Sequence, residues 1–191
     1  MMLNRYDVAI EIVGCHRVNL LCQINEHQVL WEDTILPCKV GRNGFANYNS
    51  KREGDGYTTT GKWQLLTVYY RPDRLDIPKT TLPVVAIAPD MGWSDDPADP
   101  LYNSLINTPY NFSHESLWRA DNLYDLLITT SHNTNPAVPG CGSAIFIHQM
   151  HEAETPTAGC LALKLPDLEF LITTATPDTY WDVGEELARI T

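Results

Sequence analysis

The stretch from Gly140 to Leu163 contains two short apolar runs, and each adjoins a residue that can carry chemistry. The first run ends at His148, and the second follows Cys160 directly. Eleven residues separate the histidine from the cysteine, which is enough for the chain to return and place two strands side by side. The stretch therefore predicts an imidazole and a thiol that lie close together.

A cysteine and a histidine in that arrangement are suited to nucleophilic catalysis. A free thiol has a pKa of about 8.5, and a neighbouring imidazole that takes its proton leaves a thiolate. Gly159 lets the backbone approach closely, so that the N–H groups of Gly159 and Cys160 can face a developing oxyanion. We interpret the stretch as an acyl-transfer site with Cys160 as nucleophile and His148 as base.

Structural and metal-binding interpretations stay open beside the catalytic one. A free cysteine next to Leu and Ala is commonly a small core residue, and a histidine at a strand end is commonly a hydrogen-bonded structural residue. Possible zinc ligands are His148, His151, Cys141 and Cys160. The two histidines are three positions apart and would point to opposite faces of a continued strand, and the chain has no C-x-x-C pair. We therefore expect neither a metal nor another cofactor.

The block resembles the catalytic segment of the L,D-transpeptidases of the YkuD type, in which an apolar strand ending in His precedes a variable loop and Ser/Thr-His-Gly-Cys. The matching residues are Ile147, His148, Thr157, Gly159 and Cys160. The chain departs from the signature at Ala158, where most members carry a second histidine, and at Leu161-Ala162, where many have an apolar residue followed by Asn or Arg. The resemblance is to the branch with GSAIF-His and T-x-G-C-x-A-L.

A second stretch, residues 51–65, resembles a family segment in which Lys, Gly-Asp, Thr-Pro and Gly precede an aromatic residue. The matching residues are Lys51, Gly54, Asp55, Thr58 and Gly61, and Thr59 or Thr60 stands where proline is usual. Taken by itself, the stretch also fits a β-hairpin connection with turns at 54–56 and 60–61, followed by a strand from Trp63 to Tyr70.

The resemblance implies a mainly β domain, a β-sandwich with one or two short helices. Residues 1–191 are expected to form one such domain, with the motif-bearing core at about 40–175. The implied reaction is acyl transfer on peptidoglycan stem peptides. Cys160 attacks the carbonyl of the penultimate L-centred residue and expels the terminal D-alanine, and an amine of another stem resolves the thioester. His148 moves the proton and Gly159 contributes to the oxyanion site.

Four further residues are predicted to contact the substrate: Thr157, His132, Asn133 and Ser143. His132 and Asn133 precede a turn rich in Pro and Gly, and the strands on either side of that turn should be neighbours. They also fit the simpler role of turn residues that hydrogen bond to their own backbone.

Two other function classes stay open. If water resolves the thioester, the same site is that of an L,D-carboxypeptidase or an amidase. A non-catalytic module that binds the cell wall would instead have an unreactive Cys160 with a thiol pKa above about 8.

Composition limits the partners and the location. The 191 residues, 43% hydrophobic and 19% charged, suit one globular domain. A net charge of −11 disfavours nucleic acid and anionic membranes. No run of 18 apolar residues predicts a membrane span, and Asp7 and Glu11 interrupt any signal-like core at the N-terminus. The expected wall substrate implies a periplasmic or cell-wall location, with a cytoplasmic one still open. The oligomeric state is not predicted.

An acidic loop follows Pro89, with aspartates at positions 90, 95, 96 and 99. It lacks the Asp-x-Asp-x-Asp-Gly pattern of a calcium loop. We expect it to flank the cleft and to receive an ammonium group of the substrate.

Alternating apolar residues and turn signals predict the main elements. The predicted strands are Val8–Val13, Val18–Ile24, Gln28–Leu36 and Leu127–Thr130, and a helix is predicted from Pro166 to Ile172. A further apolar run spans Val84–Ala88. The tail from Tyr180 is left unassigned.

Overall fold

The computed structural model describes residues 19–23, 28–32, 34–151, 153 and 155–183. The predicted strand Val8–Val13 lies outside these ranges. The strands are β1 (Asn19–Gln23), β2 (Gln28–Trp31), β3 (Thr34–Lys39), β4 (Phe45–Ala46), β5 (Thr58–Thr59), β6 (Gly61–Tyr70), β7 (Val84–Ala86), β8 (Met91–Ser94), β9 (Leu105–Asn107), β10 (His114–Ser116), β11 (Leu126–Thr130), β12 (Phe146–Gln149), β13 (Leu161–Leu163) and β14 (Tyr180–Val183). A 3-10 helix at Tyr48–Ser50 and helix α1 (Leu165–Thr174) complete the described elements. The predicted mainly β fold with short helices is confirmed.

The largest sheet has nine strands in the order β11-β12-β13-β3-β2-β1-β14-β6-β7. Because β11 also pairs with β6, the order returns on itself and the sheet curls around a core. A three-stranded sheet, β10-β8-β9, and the β4-β5 pair lie outside this ring. The curled sheets pack as a β-sandwich over an apolar interior that includes the fully buried Trp31 and Trp181.

Helix α1 begins as the sequence predicts. Pro166 stands in its first turn, where no intrahelical N–H is needed, and Asp167 lies near the positive end of the helix dipole. Its apolar face buries Leu168, Leu171 and Ile172 against the core. No helix in the described ranges has the length and hydropathy to span a membrane.

The predicted strand Gln28–Leu36 is wrong in one respect, because the structure folds it into a hairpin of β2 and β3. The chain turns at Glu32, whose φ is +50°, and Leu30 pairs with Ile35 across the antiparallel ladder. The polar residues Glu32, Asp33 and Thr34 separate the two apolar runs in the sequence, but no Gly, Pro or Asn marks the turn. Strand β14, which pairs with both β1 and β6, was not predicted.

The site is built on three neighbouring strands. β11 runs antiparallel to β12, and β12 runs parallel to β13, with His148 opposite Leu127 on one side and Ala162 on the other. All residues of the three strands are buried, as expected for strands covered on both faces. The predicted return of the chain after His148, and the neighbouring strand at 127–130, are confirmed.

Candidate functional site

Cys160 lies in the turn that opens β13, and its thiol contacts backbone groups at the start of β12 and just before it. The Sγ–H donates to the Ala144 carbonyl at 3.0 Å, and the Phe146 N–H donates to Sγ at 3.4 Å. The residue is 8% exposed. Burial, and then the charge of Glu115, raise the pKa of the thiol to about 12. In this structure the sulfur therefore carries its proton at neutral pH.

His148 lies on β12 with its tautomer fixed by the backbone. Its Nδ1 is 2.7 Å from the Gln149 carbonyl, and because a carbonyl only accepts, Nδ1 carries the hydrogen. Nε2 is then the basic nitrogen. Burial lowers the pKa of His148 to about 4, so the imidazole is neutral at pH 7 and has a lone pair to accept a proton. The edge of the Tyr124 ring packs against it at 5.4 Å between centroids.

Both side chains line one cavity of about 570 Å³, large enough for a peptide segment. The thiol is hydrogen bonded to Ala144 rather than to the imidazole, so the two groups share the cavity without a direct bond in this structure. Ala158, where the chain departs from the signature that it resembles, also lines the cavity and is exposed.

Gly159 has a conformation that other residues rarely adopt. Its φ is +150°, and a β-carbon added there would lie 2.9 Å from the Tyr57 carbonyl oxygen. Its N–H donates to the Thr157 hydroxyl at 3.1 Å, and that hydroxyl donates to the Cys160 carbonyl at 2.7 Å. In the resting structure the Gly159 N–H is thus occupied. Gly159 and Thr157 shape the cysteine turn, and Thr157 also lines the cavity.

Ser143 lines the cavity and is held by an acid from the 51–65 stretch. Its hydroxyl donates to Glu53 Oε2 at 2.7 Å, and the Tyr102 hydroxyl donates to the same oxygen. Burial, and then the bond to Glu53, raise the pKa of Tyr102. Ser143 can therefore offer a substrate its lone pairs while Glu53 holds its hydrogen.

His132 and Asn133 lie behind the cavity and are not among its lining residues. His132 Nε2 donates to the Cys141 carbonyl at 3.2 Å, and Asn133 Nδ2 donates to the Gly142 and Val138 carbonyls at 2.9 and 3.0 Å. They hold the 138–142 turn from behind. This geometry favours the structural interpretation over the predicted contact with substrate.

Asn103, between β8 and β9, connects the 138–142 turn to the three-stranded sheet, and no pattern in the sequence indicates this role. Its Nδ2 donates to the carbonyls of His132 and Asn133, at 3.1 and 2.8 Å. Its Oδ1 accepts from the Ala144 N–H at 3.0 Å and from Trp93 Nε1 at 2.9 Å. The buried amide of Asn103 therefore holds the backbone on both sides of the 138–142 turn, including Ala144, whose carbonyl accepts the thiol hydrogen.

Glu115, Arg119 and Tyr124 form a charged wall of the cavity that sequence reasoning missed. Arg119 Cζ lies 5.3 Å from the Tyr124 ring centroid, and its guanidinium pairs with Asp121 at 2.7 Å and with Glu115 at 4.0 Å. Burial raises the pKa of Glu115, against the opposing effects of Tyr124 and Arg119. A carboxyl group that is partly withdrawn from water thus lines the same cavity as the thiol.

The acidic loop after Pro89 does reach the cavity. Asp95 is a lining residue. Asp99 instead points into the loop, where it accepts from the hydroxyls of Ser94 and Tyr110. Asp96 accepts from the Ala98 N–H at 2.9 Å, as a turn former does. Within the described residues, no three His, Cys, Asp or Glu side chains are placed to hold a metal ion together.

The fold and the site together define a mainly β domain with a cysteine and a histidine in one cavity. The chain belongs to the family of YkuD L,D-transpeptidase catalytic domains, whose model matches residues 17–183. This membership supports an L,D-transpeptidase family function and a peptidoglycan substrate. Searches of the curated proteins and of the solved structures find no match.

Proposed function

We propose that the protein is a cysteine-dependent L,D-transpeptidase that acts on peptidoglycan stem peptides through a thioester acyl-enzyme. The observation that carries the proposal is that Cys160 and His148 line the same cavity, in a chain of this family. The wall substrate implies that the protein works in the periplasm or at the cell wall.

In the first half-reaction, the thiol leaves the Ala144 carbonyl and gives its proton to His148 Nε2. Sγ forms a bond to the carbonyl carbon of the penultimate stem residue, and the bond from that carbon to the D-alanine nitrogen breaks. His148 returns the proton to the leaving amine. A neutral thiol beside a neutral imidazole is the correct starting pair for this transfer.

In the second half-reaction, an amine of another stem attacks the thioester carbon and the C–S bond breaks. His148 takes the proton from the amine and returns it to the sulfur, which regenerates the resting thiol. Thr157 and Ser143 lie on the cavity wall, where they can contact the stem peptide. We also assign Asp95, on the same wall, to an ammonium group of the substrate.

One observation favours a second candidate, a non-catalytic module that binds the cell wall. The thiol pKa of about 12 is the property expected of an unreactive cysteine. The proposal of an enzyme therefore requires that bound substrate, with His148, lower the cost of forming the thiolate.

The test is incubation of the pure protein with a disaccharide-tetrapeptide, followed by mass spectrometry, with Cys160→Ala in parallel. A cross-linked dimer that forms with loss of D-alanine, and is absent with the variant, is the expected result. Tripeptide without dimer would indicate an L,D-carboxypeptidase on the same site. Unchanged substrate with bound peptide would favour the wall-binding module.

A further inference from the structure

Lys51 is a charged residue that is buried next to the site. It is 2% exposed, and a buried ammonium costs several kcal/mol unless it is paired. Its Nζ donates to the Asp55 carboxylate and, at 3.0 Å, to the Arg52 carbonyl. An ammonium has three N–H donors. These two bonds leave one donor without an acceptor among the described residues, and Lys51 lines the cavity.

The side chain of Lys51 packs against both glycine turns of the site. A β-carbon added at Gly142, whose φ is +94°, would lie 3.2 Å from Lys51 Cγ and Cε. One added at Gly159 would lie 3.7 Å from Lys51 Nζ. Gly142 begins the segment that receives the thiol hydrogen, and Gly159 directly precedes Cys160. The aliphatic part of Lys51 thus supports one turn, and its ammonium lies under the other.

The counter-ion of Lys51 cancels only part of the lysine's charge at the sulfur. Asp55 also accepts from the N–H groups of Arg52 and Tyr57, at 2.7 and 2.9 Å, so its negative charge is spread over several donors. Burial works to raise the pKa of Asp55, but the bonds from Lys51 and these N–H groups lower it overall. Burial, and then the charge of Glu115, raise the pKa of the Cys160 thiol, and the charge of Lys51 acts in the opposite direction.

We propose that Lys51 is an electrostatic and positioning residue of the thiol site. Its ammonium fixes the turns at Gly142 and Gly159, and it stabilises negative charge on Sγ and on the oxygen of the attacked carbonyl. The part that concerns the carbonyl oxygen rests on the acyl transfer proposed above. The effect on the sulfur does not depend on that reaction and can be measured on the protein without substrate.

The test measures alkylation of Cys160 by iodoacetamide, a neutral probe, between pH 8 and 10. Mass spectrometry of the Cys160 peptide separates it from the other four cysteines. Below the thiol pKa, the rate follows the thiolate fraction. The variants are compared at the same pH, and all of them keep the other titratable residues of the cavity wall. These residues are Glu53, Asp95, His114, Glu115, Arg119, Tyr124, His148 and His151.

Lys51→Met keeps the length of the side chain and removes the charge. The expected result is alkylation about ten times slower at each pH, equivalent to one pKa unit, while Lys51→Arg changes the rate less. Lys62→Met is the matched control, because Lys62 is exposed and lies over Tyr180. An unchanged alkylation rate in a folded Lys51→Met protein would overturn the proposal.

Asp55→Asn tests the proposal if Lys51→Met does not fold. It keeps an oxygen that accepts from Lys51 and removes the opposing charge, so alkylation should become several times faster. A slower or equal rate contradicts the proposal. Turnover of the tetrapeptide is measured separately. If neither the unaltered protein nor any variant turns over the tetrapeptide, the proposed acyl transfer is refuted. If the alkylation rates still change as expected, the effect of Lys51 on the sulfur is supported.

Discussion

The thiol of Cys160 is hydrogen bonded to the carbonyl of Ala144, 3.0 Å away, and not to the imidazole of His148. Ala144 has a φ of +50°, which is uncommon for a residue with a side chain, and its N–H is held by Asn103. The Cys160 side chain, our proposed nucleophile, is thus a neutral thiol that faces a backbone segment held by hydrogen bonds. Its release from Ala144 is the first event that any reaction at this site requires.

Glu115→Gln should make Cys160 more reactive. The carboxylate of Glu115 raises the pKa of the thiol, after burial, so its removal favours the thiolate. We expect iodoacetamide to alkylate Cys160 several times faster at pH 9. Glu169→Gln is the control, because Glu169 is exposed on α1 and does not line this cavity. Equal rates for the two variants would show that the Glu115 charge does not reach the sulfur.

His148→Gln should abolish most of the proposed turnover. The amide cannot accept the thiol proton, and loss of a general base costs about 10²–10⁴-fold in rate. The Michaelis constant should change little, since the cavity keeps its shape. His151→Gln provides the comparison: His151 lines the same cavity, but its ring accepts a bond from Ala153 N–H at 3.1 Å. A similar loss in both variants would contradict the assignment of His148 as base.

Gly159→Ala should destabilise the protein and distort the site. The added β-carbon would meet the Tyr57 carbonyl at 2.9 Å, in a backbone conformation with φ of +150°. We expect a loss of about 2 kcal/mol or more in the free energy of unfolding, measured by urea denaturation. Gly140→Ala isolates the backbone contribution, because Gly140 has φ of +78° and open space around it. The Gly140→Ala variant should lose about 1 kcal/mol in the free energy of unfolding.

Asn103→Ala should loosen the segment that holds the thiol. Four hydrogen bonds of a buried amide are lost, and the N–H of Ala144 is left without its partner. Unpaired buried groups cost about 1–3 kcal/mol each, so we expect a loss of at least 3 kcal/mol in urea denaturation. Asn107→Ala removes one exposed bond to Asp90 and should change stability by less than about 0.5 kcal/mol. Equal losses of unfolding free energy in Asn103→Ala and Asn107→Ala would mean that Asn103 does not hold the Ala144 segment in place.

The sequence was sufficient to predict the shared location of His148 and Cys160, because both lie at the ends of short apolar runs in one local segment. It did not predict the opposite wall of the cavity. Glu115 and Tyr124 come from the three-stranded sheet and the loop after it, and no local pattern indicates that these pack against β12.

The side-chain directions of His132 and Asn133 could not be predicted for a related reason. Both residues stand at a turn, where the direction of a side chain depends on long-range contacts rather than on strand alternation. Here Asn103, between β8 and β9, donates to their backbone carbonyls. The hairpin at Glu32 was missed because its turn uses an ordinary residue at positive φ.

The stability of the protein should fall as the pH is lowered from 7 to 4. Burial lowers the pKa of both His132 and His148 from 6.5 to about 4. The two neutral histidines stabilise the folded protein fully above pH 6.5. This contribution is lost as the pH falls through 4, because the unfolded chain takes up protons at a higher pH than the folded protein does. Each shift corresponds to at most about 3 kcal/mol. Glu115, whose pKa is raised, opposes the trend.

His132→Gln separates this effect from general acid denaturation. The glutamine amide can still donate to the Cys141 carbonyl, but it does not titrate. The expected result is a loss of stability between pH 6.5 and 4.5 about half that of the unaltered protein, from urea denaturation at each pH. Adding His148→Gln should remove most of the remainder. An undiminished pH dependence in the double variant would assign the loss to carboxylates, among which Asp55 and Asp121 have lowered pKa values and titrate at lower pH.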